Sequence, residues 1–445
     1  MASDLLSIGR SGTLAARIAL DVTAQNIANA SSDGYVRRSV RLEEVASAGG
    51  IGTIGDVSLS GVRLDSVVRN ADLFRQAEVR RTGADAARAG AEVAGLENIE
   101  AAVEQSGVFN ALVQFEGSLQ QLAGDPTSAS LRANVLEDAR TLAGTFNIAS
   151  IALDAVGTGL RFEASGGVTQ VNTLSQELAR VNLRLARAAD ASSDQTALLD
   201  QRDSLLQQLS QFNDVAATIN ADMTVEVRIG GTAGPLLVQG GTAQTLAMTT
   251  AADGTIAFDV GGTAAALTGG SLAGKAQALT KLAAISASLD TLAGGVIATV
   301  NGAQTAGAAL DGSAGQPLFS GTDAATIGVA LASGAGLATA PAGAGANSRD
   351  PGNLDALRAA LSANDPAGAM DALLFDISGT VAGRKVTRDA LDTIAASARI
   401  SLEAQAGVNL DTEAANLLRY QQAFQASGRV MQTAKDIFDT LIGIR

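Results

Sequence analysis

The 445-residue chain contains no cysteine, no histidine and no tryptophan, only two tyrosines, and four lysines among its 31 basic residues. Without histidine and cysteine there is no Ser–His or Cys–His nucleophile, no imidazole acid or base, no thiolate and no ordinary zinc site. A carboxylate pair remains open to it, so an enzyme is disfavoured but not excluded, and no cofactor is expected. A chain free of cysteine tolerates any redox compartment. The formal net charge of −14 lacks the basic face that nucleic acid requires. No stretch approaches about 18–20 uninterrupted apolar residues, so no membrane partner is expected. Asp4, Arg10, Arg17 and Asp21 interrupt the N-terminal apolar pattern, which is not the order of a cleavable secretory signal.

What is present is periodic. The acidity is concentrated in residues 42–408, which carry −16, between ends of +2 (1–41) and 0 (409–445). Such near-neutral ends are suited to packing against other copies. Leu5, Ile8, Gly12, Ala15, Ala19, Val22 and Asn26 recur at alternating spacings of three and four, which predicts one helix over 3–30 with a stripe of small residues. Ser31–Ser32–Asp33–Gly34 should end it. Residues 36–68 read as extended.

Helical spacing runs from about 70 to 212. Leu112, Phe115, Leu119 and Leu122 stop at Gly124–Asp125–Pro126. Leu131 to Phe146 starts a second helix and Val171 to Leu185 a third, with Leu198, Leu205, Leu209 and Phe212 as its antiparallel partner. Period-two alternation at Val225, Val227, Ile229 and at Ile256, Phe258, Val260, with the Asp253–Gly254 turn signal, predicts a small β-rich region. Helices return at 272–302 and from about 353.

The fold class read from this order is α+β: elongated and multidomain, with paired terminal helices, a helical-bundle body and a small β-rich outer domain. The expected domains are a terminal core of 1–40 with 405–445, and a body of 41–213 with 272–302 and 350–404. The outer domain is 214–271, with 303–349 left open as a further part of it.

The last helix carries the strongest pattern. Leu410, Leu417, Phe424, Met431 and Phe438 repeat every seven residues, with Val430, Ile437 and Ile444 as a second file. A strict heptad keeps one seam against a partner helix. That seam either packs on the chain's own body or pairs the two ends and completes its burial between subunits.

Here the residues resemble a family. Leu20-Asp-Val-Thr-Ala-Gln-Asn-Ile-Ala-Asn-Ala-Ser-Ser-Asp-Gly-Tyr35, followed by Arg37, is similar to the N-terminal signature of axial proteins of the bacterial flagellum. The run from Gly407 through Tyr420, Phe424 and Met431 to Leu441 resembles the closing helix of the hook-associated protein 1 family, and Leu199-Asp-Gln-Arg-Asp203 and Pro317-Leu-Phe319 resemble its middle.

The resemblance implies a non-enzymatic structural junction protein joining hook to filament. It implies a homo-oligomer that meets the hook protein and the next hook-associated protein. Export would be uncleaved through the flagellar type III apparatus, with a chaperone on the C-terminal helix, to an extracellular place at the junction. The assembly residues expected are Leu5, Ile8, Ala15, Val22, Asn26, Asn29, Gly34 and Tyr35 at one end. At the other they are Leu410, Leu417, Tyr420, Phe424, Met431, Phe438 and Leu441. A hook or rod protein is the nearest alternative; a surface adhesin or a carboxylate hydrolase are alternatives of other classes.

Three features read as decoys. Gly50-Ile-Gly-Thr-Ile-Gly55 has the letters of a dinucleotide fingerprint without the strand–turn–helix context. Asn29-Ala-Ser31 is a glycosylation sequon at a helix end. Asp200 and Asp203, beside Arg202, read as solvated charges on a polar helix face.

Overall fold

The computed structural model describes residues 2–32, 34–47, 58–189 and 192–443. In chain order come helix α1 (Ala2–Ala28), the antiparallel ribbon β1 (Arg38–Ser47) and β2 (Ser58–Arg69), and helices α2 (Leu73–Ser106), α3 (Val108–Gly124), α4 (Ala129–Leu185) and α5 (Ser193–Phe212). Strands β3 (Ala216–Ile219), β4 (Val225–Arg228), β5 (Leu236–Gln239) and β6 (Thr242–Ala243) form one sheet; β7 (Leu246–Thr250), β8 (Ile256–Val260) and β9 (Thr263–Ala265) form another. Helix α6 (Gly270–Thr305), four two-residue strands between 307 and 341, and helices α7 (Gly352–Asn364), α8 (Pro366–Ala406) and α9 (Leu410–Gly443) complete the chain.

These elements divide into two units: residues 1–83, 171–245 and 392–445, and residues 84–170 and 246–391. In the first unit, α1 packs along α9 and against the β1–β2 ribbon, and the end of α4 lies beside α5, joined by Gln201 Nε2 to Glu177 Oε1 (3.3 Å). Ser192 caps the start of α5, its hydroxyl oxygen accepting from the Gln195 N–H. Val225, Val227 and Ile229 are fully buried, as their alternation requires. Asn182 fastens that sheet to α4, donating to the Val225 and Gly240 carbonyls (2.8 and 2.9 Å) and accepting from the Val225 N–H (3.0 Å).

The second unit has one apolar core built from α3, α6, α7 and the adjoining parts of α2, α4 and α8. Phe115 and Phe319 meet edge to face in it at 5.9 Å. Arg132 is buried there with no acid; its guanidinium donates to the Pro126 and Leu337 carbonyls (2.6 and 2.7 Å) and to Thr339 Oγ1 (2.7 Å). Burial pushes the pKa of Arg132 down.

Several expectations are corrected. The two helices expected at 131–146 and 171–185 are one helix, α4, of 57 residues. At 1.5 Å per residue its length is about 85 Å. Between its apolar runs lie glycines but no proline. Glycine costs a helix only about 1 kcal/mol where proline would break it. The β-rich region at 214–271 is two sheets in different units. Ile256 packs on the core of the second unit while Val225 is held by Asn182 in the first, a distinction that strand periodicity does not carry. Helix α6 reaches a mean hydropathy of 1.5 over 18 residues, enough by composition for a membrane span. Lys275, Lys281 and Asp290 interrupt its apolar run, and Leu279, Leu282, Leu289, Val296 and Val300 belong to the core.

Candidate functional site

The pairing of the two terminal helices depends on small residues at the crossing. A Cβ placed on Gly9 would lie 2.6 Å from Met431 Cγ, and one placed on Gly12 would lie 2.7 Å from Ser427 Oγ. At Gly9 the backbone of Met431 and Ser427 also lies 3.2 Å from the added Cβ, so a larger residue there forces the helices apart, whereas at Gly12 the Ser427 side chain must move. Ala15, Ala19, Val22 and Asn26 continue the buried face of α1. Ile8 is half-buried and Leu5 is exposed.

On α9 the inward residues include Glu413, Leu417, Tyr420, Ser427, Met431 and Ala434, spaced by three and four except for the seven-residue step across the exposed Phe424. The expected heptad file is therefore divided. Leu417 and Met431 turn toward α1, while Leu410 (54% exposed), Phe424 (40%) and Phe438 (55%) remain open. Val430 and Ile437 of the second file are exposed too. The file that shares the buried face is Glu413, Tyr420, Ser427 and Ala434, whose polar and small members hid it from a hydrophobic pattern. Ile444 and the side chain of Leu441 lie outside the described residues, as does the Gly50–Gly55 run.

Beyond the helix crossing, the two ends are joined by a buried polar junction. All four hydrogen-bonding positions of the Asn26 amide are filled. Its Nδ2 donates to the Arg38 carbonyl (2.8 Å) and to Glu413 Oε2 (3.1 Å), and its Oδ1 accepts from the Arg38 N–H (3.0 Å) and the Tyr35 hydroxyl (2.9 Å). Arg37 Nε donates to Glu413 Oε1 at 2.7 Å, and the Arg37 N–H donates to the Ala406 carbonyl at 2.9 Å. Glu413 is 1% exposed, so this ion pair is protected from water and salt on the carboxylate side. Gly34, at a φ of 76°, turns the chain so that Tyr35 returns onto Asn26. Glycine takes that positive φ without steric cost.

Strand register extends the junction. Arg38 and Arg69 are directly paired across β1 and β2, an arrangement of like charges that is unfavourable alone. Asp200 resolves it: its Oδ2 accepts from Arg38 (2.9 Å) and its Oδ1 from Arg69 Nε (2.9 Å). One turn on along α5, Asp203 takes Arg202 Nε (2.9 Å) on Oδ1, and Arg69 and Gln76 Nε2 (both 3.0 Å) on Oδ2. Asp203 is buried and Asp200 is largely covered with both oxygens paired, which corrects their reading as solvated charges. Each of these groups is polar in sequence but held on all sides by an opposite charge. Burial pushes the Asp203 carboxyl up, but the Arg202 and Arg69 guanidiniums outweigh it and hold the pKa below the usual carboxylate range. Burial raises the pKa of the Tyr35 phenol; Arg38 opposes the rise, and Asp200 and Glu413 add to it.

Of the remaining expected residues, Tyr420 is half-buried, with its ring under Arg419 (4.9 Å) and its hydroxyl accepting from Arg419 (3.0 Å). Asn29 donates to the Gln25 carbonyl (2.9 Å) in the turn that closes α1. Glu413, Arg38, Arg69 and Gln76 were absent from the sequence expectation. The traceable signals were Arg37 in the N-terminal signature and the three-residue spacing of Asp200 and Asp203.

Comparisons with known proteins align with this geometry. The model of the FlgK helical domain of flagellar hook-associated protein matches residues 93–319, just over half of the chain. The model of the C-terminal part of the flagellar basal body rod FlgEFG proteins matches 403–444, and that of the flagella basal body rod protein matches 6–35. Flagellar hook-associated protein 1 of Bacillus subtilis is 31% identical over 223 residues, covering 48% of this chain and 44% of the relative. Those of Salmonella typhimurium and Escherichia coli are 27% and 26% identical, each covering 55% of this chain and 44% of the relative. The chain thus spans less than half the length of the curated relatives it matches. A solved structure of the flagellar hook junction protein FlgK from Burkholderia pseudomallei aligns with a TM-score of 0.45 and 25% identity over 54% of this chain and 46% of that one. The polar junction takes residues from every matched stretch: Asn26 and Tyr35 from the first, Asp200 and Asp203 from the middle, Glu413 from the last.

Proposed function

Because this chain belongs to the FlgK family of flagellar hook-associated proteins, we propose that it is the structural junction linking hook to filament, assembling through its terminal helices into a ring or tube. The observation that supports this reading is the apolar surface left on the paired helices. After α1 and α9 have packed together, Leu6 and Leu14 on one and Leu410, Leu418, Phe424 and Phe438 on the other remain exposed. Large apolar side chains concentrated on one pair of helices mark a surface for further protein. Other copies of the same pair are the partner such a repeat fits best.

In this reading the terminal core, 1–40 with 405–445, lines the inside of the axial structure, and the rest of the α+β chain lies outside that core. The hook protein and the next hook-associated protein contact it at its two ends. The chain leaves the cell uncleaved through the type III apparatus, with a chaperone covering α9 beforehand. The protein has a structural task, not a catalytic one. The rod or hook alternative draws on the two terminal matches, both to rod-protein models; the match of 93–319 to the FlgK helical domain weighs against it.

Deleting the gene in the motile host is the test. Hooks without filaments, with flagellin shed into the medium, are expected; intact filaments and normal swimming would overturn the proposal.

A further inference from the structure

Arg80, one turn beyond Gln76 on α2, has no hydrogen-bond or ion-pair partner among the described residues, and its Nε is buried. It lines a cavity of about 110 Å³, several times the space that one water needs. None of the carboxylates around it is paired with it; Glu403, in the cavity wall, accepts from Arg399 on Oε1 (2.9 Å). Both oxygens of Asp203 are taken by Arg202, Arg69 and Gln76, both of Asp200 by Arg69 and Arg38, and both of Glu413 by Arg37 and Asn26. With the Arg399–Glu403 pair in the cavity wall, Arg37, Arg38, Arg69, Arg80, Arg202 and Arg399 stand against Asp200, Asp203, Glu403 and Glu413, a local positive excess in a chain of net charge −14. A guanidinium nitrogen withdrawn from water without a hydrogen-bond partner is costly, and the planar fork it belongs to matches a carboxylate.

We propose that this cavity is a binding site for one carboxylate, held by Arg80. Ser204 also lines the cavity; its oxygen accepts from Gln208 Nε2 (3.1 Å), which leaves its hydroxyl proton to donate to the bound anion. Asp203 in the wall and Glu403 at the Arg399 pair repel a second negative charge, so a singly charged group is preferred to a phosphate dianion. The carboxylate is delivered either as a small free acid or as an acidic side chain of a second copy of the chain. The site does not depend on the junction role, and it can be tested on the isolated full chain.

The first measurement is the thermal midpoint of wild type and Arg80→Gln in sodium acetate and in sodium chloride at equal ionic strength. At acetate about five times its dissociation constant, the wild-type midpoint should rise about 2 °C more than that of the variant. Subtracting the variant removes general salt effects. In chloride the variant should melt no lower than wild type, because it loses an unpaired buried charge. A second measurement needs no variant to fold: the Arg80 Nε–Hε resonance of wild type should move saturably with acetate. Sedimentation then separates the sources. Self-association weakened by acetate and by Arg80→Gln assigns the carboxylate to a second copy; self-association indifferent to both assigns it to a free acid. Equal acetate shifts in wild type and variant, or an Arg80 resonance that acetate does not move, would overturn the proposal.

Discussion

Removing Glu413 tests whether the polar junction, and not the apolar crossing alone, holds the chain's two ends together. Glu413→Ala strips Arg37 of its 2.7 Å partner and leaves Asn26 Nδ2 with the Arg38 carbonyl alone. Breaking a buried ion pair by deleting one member costs about 3–5 kcal/mol. The Arg37 side chain is 23% exposed and can recover some hydration. That places the cost near the lower figure, about 3 kcal/mol. Glu413→Gln keeps one acceptor oxygen but loses the charge and turns its amide NH2 toward a donor, either Arg37 Nε or Asn26 Nδ2, for about 1–3 kcal/mol.

Hydrogen exchange reads these energies locally. Amides in the last turns of α1 and the first turns of α9 should exchange about 100-fold faster in Glu413→Ala and between about tenfold and about 100-fold faster in Glu413→Gln. Those of α3 and α6, in the other unit, should be unchanged. A double-mutant cycle with Arg37→Met isolates the pair and should return a coupling above about 1.5 kcal/mol. Exchange accelerated less than about threefold in Glu413→Ala, or strict additivity in the cycle, would refute the reasoning.

Three other outcomes follow from the same geometry. Phe424→Asp alters a side chain already open to solvent, so the monomer should lose less than about 0.5 kcal/mol while filament attachment is abolished; normal attachment would count against assembly through α9. Gly9→Val forces side-chain atoms into Met431 and should cost about 1–3 kcal/mol, seen as faster exchange along α1; unchanged protection would show the crossing to be loose. Asp203 has a folded-state pKa below its unfolded value. Its contribution to stability is therefore present above about pH 4 and is lost as pH falls through the depressed folded value. Asp203→Asn should flatten that limb of an acid-unfolding curve followed by circular dichroism, and an unaltered limb would remove Asp203 from the account.

The elements of this fold were legible where one physical signal acted alone. The three-four stripe of α1 located its buried face down to Asn26, and Gly124–Asp125–Pro126 ended α3 because proline admits no alternative. The heptad of α9 located the helix but misjudged which residues turn inward. Hydrophobicity marks both the surface that α1 covers and the surface left open, while Ser427, which meets Gly9 and Gly12, and the buried Ala434 carry too little apolar surface to register in such a pattern. The junction was least legible. Asp200 and Asp203 look solvated because their counter-charges, Arg38 and Arg69, come from the opposite strands of a distant ribbon, a pairing fixed by register and not by local sequence.

The order in which the junction receives its parts has a kinetic meaning. Arg37 and Arg38 are made early in the chain; Asp200 and Asp203 follow about midway, and Glu413 comes 376 residues after Arg37. The interval must close as a loop before the last pair can form, and such long-range closure is slow. A chain delivered N-terminus first therefore leaves the Arg37 side chain and one Asn26 Nδ2 position without Glu413 until its final helix arrives. The junction then acts as a check on completeness, because a chain cut short before residue 413 lacks the carboxylate that closes its own ends.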